Sequence, residues 1–171
     1  IPWRDGAEDR RITIVDEPEI HPQVITDYIQ KMKQYYRIKM LAIDDFRYAL
    51  LSKYLETIGF DKKIYKNLKL IRPSDIMRVV PVIDHCFVNH WFHWGEAPEL
   101  RWAVNNTKLV RHNRKIGQPD DMDFGNYVYG KIEAKSRKTD PFMALVASMT
   151  VEDVLPTAHR KKTKFQVYTY G

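Results

Sequence analysis

The chain has 171 residues, 44% of them hydrophobic, with seven Phe, ten Tyr and four Trp. That excludes a disordered polypeptide and is enough for one domain with a real core. The net charge is +6 and the pI about 9.3, which favours a polyanionic partner without specifying one. Cys86 is the single cysteine, so no intrachain disulfide can form, which fits a reducing compartment. No apolar run is long enough to cross a membrane and no signal peptide is read at the start. Because the sequence starts at Ile1 rather than Met, it reads as a piece of something longer.

In chain order, Ile1 to Arg10 is polar and charged. Arg11-Ile12-Thr13-Ile14-Val15 reads as a strand, broken by Pro18 and Pro22. Val24, Ile25, Tyr28, Ile29, Met32 and Tyr36 then recur at helical spacing, with Pro22 suited to the first turn. The run Ile38 to Ile43 reads as a buried strand ending at Asp44. Phe46, Leu50, Leu51, Tyr54, Leu55 and Ile58 form a second helical stripe that Gly59 stops. Residues 11 to 59 thus read strand, helix, strand, helix, and a helix between two strands is the crossover of a parallel pair.

Leu68-Lys69-Leu70-Ile71 reads as a short strand. Ser74 is a candidate cap for a helix running to about His90, with a kink at Pro81. A short helix is expected over Glu96 to Asn105. Thr107 to Arg114 and Tyr127 to Ala134 alternate like the strands of a hairpin, separated by a polar loop with Gly117, Pro119, Asp120, Asp121, Asp123 and Gly125. A buried helix opens at Asp140 and ends before Pro156. Residues 1–155 therefore read as one domain, and 156–171 as a basic tail carrying His159-Arg160-Lys161-Lys162-Thr163-Lys164.

Two carboxylates occupy positions suited to chemistry. Asp44 stands at the carboxyl end of a buried strand and Asp140 at the first turn of a buried helix. Such a pair can converge on a divalent cation, as metal-assisted phosphodiester cleavage requires. The plainer reading makes Asp44 a turn residue and Asp140 a helix cap, since Asp before Pro is a common helix start. Asp45 competes with Asp44, because strands buried on both faces lose their alternation. Asp16 follows the first predicted strand and could contribute geometrically, although a turn before Pro18 explains it as well.

Basic residues cluster near the second carboxylate. Lys108, Arg111, Arg114 and Lys115 lie on one hairpin arm; Lys131, Lys135, Arg137 and Lys138 lie on the other arm and its exit. They would flank a phosphodiester brought to Asp140, or simply solvate the hairpin. Gly125 to Ile132 nearly matches a phosphate loop, but Ile132 has no hydroxyl for magnesium and Tyr127, Val128 and Tyr129 favour a strand. ATP binding is therefore not expected. Cys86, His90 and His93 share a helical face at i, i+4, i+7, which zinc could use, but Phe87, Trp91 and Phe92 around them argue for packing.

Three segments carry a resemblance. They are His93-Trp94-Gly95-Glu96-Ala97-Pro98-Glu99-Leu100-Arg101-Trp102 with Asn105 or Asn106, then Lys138-Thr139-Asp140-Pro141-Phe142-Met143-Ala144-Leu145, and upstream Met40-Leu41-Ala42-Ile43-Asp44-Asp45-Phe46-Arg47. In order and spacing they resemble the nuclease domain of a tailed-bacteriophage terminase large subunit, over most of residues 11 to 150. The resemblance implies an α/β domain of RNase H-like type, a mixed sheet flanked by helices. It implies two Mg²⁺ or Mn²⁺ ions, with Asp44 as the second catalytic carboxylate and Asp140 as the third. The aromatic two positions after the aspartate favours Asp44 over Asp45. The family's first carboxylate lies on an earlier strand, and the ten residues before Arg11 do not read as one, so the chain is expected to lack it and, as such a fragment, could cut nothing.

The expected function is endonuclease cleavage of concatemeric double-stranded viral DNA during genome packaging, in the cytoplasm of the infected bacterial host. By resemblance, the partners are double-stranded DNA, an ATPase domain on the parent chain, the small terminase subunit and the portal. Two alternatives stand beside it: a non-catalytic DNA-binding or protein-docking fragment of the motor, and a related resolvase or transposase of the same fold.

Overall fold

The computed structural model describes residues 12–112, 126–133, 135 and 138–155. Among the described residues five helices and four strands follow one another: α1 (Pro22–Lys33), β1 (Leu41–Asp44), α2 (Tyr48–Thr57), β2 (Leu68–Ile71), α3 (Pro73–Val88), α4 (Pro98–Asn105), β3 (Thr107–Arg111), β4 (Tyr127–Lys131) and α5 (Asp140–Met149). β1 and β2 pair in parallel, with Asp44 beside Ile71; β3 and β4 pair antiparallel. Parallel and antiparallel pairing are both present, but the described strands form two separate two-stranded sheets and not the single mixed sheet expected.

The parallel crossover lies one step further along the chain than the sequence suggests. Residues 12–15 form no strand, and Ile14 is 68% exposed. The pair is instead β1–α2–β2. A short apolar run becomes a strand only when an edge is there to satisfy its backbone, and residues 12–15 pair with no strand among the described residues. α1 starts at Pro22 as expected, but Val24, Ile25 and Tyr28 are exposed. The buried residue of α1 is Thr26, whose hydroxyl donates to the Gln23 carbonyl (3.0 Å), while Ile29 reaches the core. Lys33 ties the end of α1 to α2's exit by donating to the Ile58 carbonyl (2.8 Å).

Two apolar clusters hold the fold. Leu55, Ile58, Phe60 and Leu68 form one, with Leu41, Ile43 and Leu70 packed on it from the parallel sheet. Val79, Ile83, Ala103, Phe142 and Val146 form the other, joining α3, α4 and α5, with Tyr129 of the hairpin against it. Gly59 ends the first unit at a positive φ of 84°, the turn expected of it. The stretch His93 to Trp102 serves this packing. Phe92 stacks on Trp94 with centroids 4.8 Å apart, and Arg101 donates to the Gly95 carbonyl (2.8 Å).

α3 begins at Pro73, not at Ser74, and ends at Val88. His90, with φ at 55°, and His93 therefore lie beyond it, and the shared helical face expected of Cys86, His90 and His93 does not form. Cys86 is buried and His85 meets Trp91 edge-on. Residues 127–131 are a strand, which fits the expected failure of the phosphate-loop pattern.

Asp61, 6% exposed, organises the loop between α2 and β2. Its carboxylate accepts the backbone N–H groups of Lys63, Ile64 and Tyr65, and Asn67 closes the loop by donating to the Gly59 carbonyl. Burial pushes the Asp61 carboxyl up, but the three N–H donors outweigh it and hold it below the ordinary 3.8. A depressed carboxyl stabilises the fold above its unfolded value and loses that contribution as pH falls through the folded value. Asp61→Asn, which turns an amide donor toward N–H groups, is expected to lower the melting temperature by several degrees at neutral pH. The gap should narrow below about pH 3.8. Melts at pH 7 and pH 3 check this; an equal gap at both would contradict it.

Candidate functional site

Alternation along β1 decides which side chains meet. Leu41 and Ile43 turn to the first apolar cluster. Ala42 and Asp44 therefore turn to the opposite face, where α5 packs on β1. Along α5, Asp140, Met143, Ala144 and Ala147 fall at i, i+3, i+4 and i+7, one face of a helix. These two faces enclose a cavity of about 430 Å³ lined by both Asp44 and Asp140. Ala42, Ala144 and Ala147 leave the room that larger side chains would fill, and Ile71, Pro73 and Ile76 complete an apolar wall.

Asp44 is the last residue of β1 and is exposed. Its Oδ1 accepts the Phe46 N–H (3.0 Å), capping a short 3-10 turn, Asp45–Arg47. The turn role and the cavity position thus coexist in one residue, since a carboxylate has further lone pairs. Asp45 and Asp16 are exposed and lie outside the cavity lining. Asp140 is the first residue of α5, exposed, with Thr139 as the N-cap. The capping position expected of Asp140 is therefore held by Thr139. A carboxylate in the first turn still meets the positive end of the helix dipole.

The far end of α5 is anchored. The Thr150 carbonyl accepts from Lys69 Nζ (3.0 Å) and Arg78 Nη2 (2.9 Å), two cations at a helix C-terminus. This pins α5 to β2 and α3 and so sets where Asp140 stands. Lys69 also pairs with Asp75 (2.9 Å), which accepts the Arg72 N–H (2.9 Å). Burial acts to raise the Asp75 carboxyl, but the Arg72 N–H, Lys69 and Arg78 hold it below its ordinary range.

Arg72 was not singled out from the sequence, yet it lines the cavity with the two aspartates. A signal for it existed. Arg72 follows β2 directly, beside the residue paired with Asp44, and ligands of parallel sheets gather at the carboxyl ends of strands. Two carboxylates are the hard oxygen donors that Mg²⁺ and Mn²⁺ take, so the residues present suit such an ion. Among the described residues, no group of three or more His, Cys, Asp or Glu is gathered as a metal site.

The hairpin divides its basic residues between two faces. Thr107, Leu109 and Arg111 stand opposite Lys131, Tyr129 and Tyr127, and directly opposed residues share a face. Tyr129 meets Phe142 edge-on in the core and donates to Asp84 (3.4 Å), so that face is the inward one. Burial, then the Asp84 charge, pushes the Tyr129 hydroxyl well above its ordinary range. Arg111 and Lys131 belong to this face, with Arg111 half-buried and Lys131 exposed, while Lys108 lies on the other. A single basic face spanning Lys108 and Arg111 is therefore not formed. Lys135 and Lys138 are exposed. Arg114, Lys115 and Arg137, with the rest of 113–125 and all of 156–171, lie outside the described residues.

No helix among the described residues is long and apolar enough to cross a membrane. Comparison with family models, with curated proteins and with solved structures finds no match to this chain.

Proposed function

We propose that the chain is the catalytic part of a metal-dependent endonuclease acting on double-stranded DNA, of the kind its sequence resembles in phage terminase large subunits. The observation that carries this reading is the shared cavity of Asp44 and Asp140. Both would hold Mg²⁺ or Mn²⁺ through carboxylate oxygens. A divalent ion held there would supply Lewis acidity and would ease deprotonation of a water, so that hydroxide could attack a phosphodiester. Arg72, at the same cavity, would grip a non-bridging phosphate oxygen as a fork-shaped donor. Ile71, Ile76 and Met143 would form an apolar wall on one side of the two carboxylates. On this reading the cut serves viral genome packaging, alongside an ATPase domain, the small terminase subunit and the portal.

The test is nicking of supercoiled plasmid by the full-length natural protein in Mn²⁺. Cleavage that Asp44→Asn and Asp140→Asn each remove supports the endonuclease. Plasmid binding without cleavage would favour a non-catalytic DNA-binding module. Cleavage confined to branched DNA would favour a resolvase-type enzyme.

A further inference from the structure

A second cavity, about 590 Å³, lies along β2, and Arg72 lines it as well as the first. Lys62, Lys66, Lys69 and Arg72 set four cations into this bowl against the Asp75 carboxylate. They come from three places: the 61–67 loop, β2 and the start of α3. Charges so distributed line a track and do not close around one small ion. The track ends at Arg72, beside Asp44 and Asp140.

The bowl is built in advance. Asp61 and Asn67 fix the loop from inside, as described above, and Lys66 is held at φ 52°, a left-handed conformation that costs a lysine energy. Lys62 Nζ lies 4.0 Å from the centre of the Tyr48 ring, which positions it without neutralising it. Lys69 is committed to Asp75 and the Thr150 carbonyl. Lys66 and Arg72 have no ion-pair partner among the described residues. The charge left over is thus carried by Lys62, Lys66 and Arg72.

We propose that this bowl binds successive phosphates of a DNA duplex and leads the backbone, through Arg72, to the Asp44–Asp140 cavity. This rests on the endonuclease reading for the identity of the polyanion. It also moves the expected DNA contact from the 107–131 hairpin to the β2 edge. Ammonium groups bind phosphate as point charges, so the contact carries no base sequence.

The experiment measures binding of the full-length natural protein to a labelled random-sequence duplex across a salt series. Each lost phosphate contact lowers the slope of log affinity against log salt by about 0.9, so Lys62→Gln/Lys66→Gly should lower it by about 1.8. Lys66→Gly alone should lower it by about 0.9. That variant should melt no lower than the parent, because glycine suits φ 52°, so its lost affinity cannot be blamed on unfolding. An unchanged slope in both variants overturns the bowl, as does absence of duplex binding by the parent at low salt. Asp140→Asn, run in parallel, separates the two ideas. If it abolishes cleavage while the bowl variants bind normally, the endonuclease stands and the bowl falls. If it still cleaves while the bowl variants lose the slope, the bowl stands and the carboxylate assignment falls.

Discussion

Asp140→Asn is expected to abolish Mn²⁺-dependent plasmid cleavage by the full-length natural protein while leaving its fold intact. Asparagine keeps the size and most of the shape of aspartate at an exposed first-turn position. Thr139, the N-cap, is untouched. What is lost structurally is one favourable charge at the helix start, about 0.3–1 kcal/mol, or roughly 1–4 °C in a domain of this size. What is lost chemically is much larger. A divalent ion stabilises developing charge by several kcal/mol, and each ~1.4 kcal/mol is tenfold, so a rate loss of about a thousandfold or more follows. A plasmid assay beside thermal melts separates the two. Full activity with a normal melt would mean that Asp140 only complements the helix dipole.

Phe142→Ala is expected to give the largest loss of stability. Phe142 is 2% exposed and sits where three elements meet: Phe87 of α3 lies 6.2 Å away and Tyr129 of β4 5.0 Å away, centroid to centroid. Truncating a buried Phe costs about 3–5 kcal/mol, the transfer term plus the cavity left behind. At about 2–4 °C per kcal/mol, the melting temperature should fall by roughly 6–20 °C. Phe142 also lies two residues beyond Asp140 on the same helix, so on the proposed reading the variant should also bind Mn²⁺ more weakly. A melting temperature within about 2 °C of the parent would show that α5 does not depend on this contact.

Much of the fold could be read from local pattern. β2 appears over the predicted Leu68–Ile71, and α1, α4 and the hairpin arms appear near their predicted places, because each has a strong local signal: a first-turn proline, helical spacing or alternation. The failures arise where partners matter. Ile12 to Val15 has a strand's composition but pairs with no strand among the described residues, and the sequence alone cannot tell a run with an edge from one without. Phe46 and Leu50 look like part of a buried stripe, yet Phe46 is 86% exposed, because the chain passes Asp44 in a 3-10 turn before α2 begins and the helical phase is reset. Spacing placed both aspartates at the ends of buried elements, but not in one cavity. That depends on Ala42, Ala144 and Ala147 leaving space and on Lys69 and Arg78 anchoring the distant end of α5. Nothing local marks Arg72 or the Lys62–Lys66 loop, because only the pairing of β2 beside β1 brings Arg72 to the cavity of Asp44 and Asp140. The basic residues of the hairpin are close in sequence, but strand alternation divides them between two faces.

Titration with Mn²⁺, read by calorimetry or by the spin signal of the free ion, tests the pairing of Asp44 with Asp140 independently of cleavage. If the two carboxylates hold one ion, the parent binds Mn²⁺ saturably, Asp44→Asn and Asp140→Asn each weaken that binding about tenfold or more, and the double variant binds little more weakly than either single one, since each change already breaks the same site. Unaltered Mn²⁺ affinity in both single variants, with normal melts, would contradict a shared metal site at this cavity.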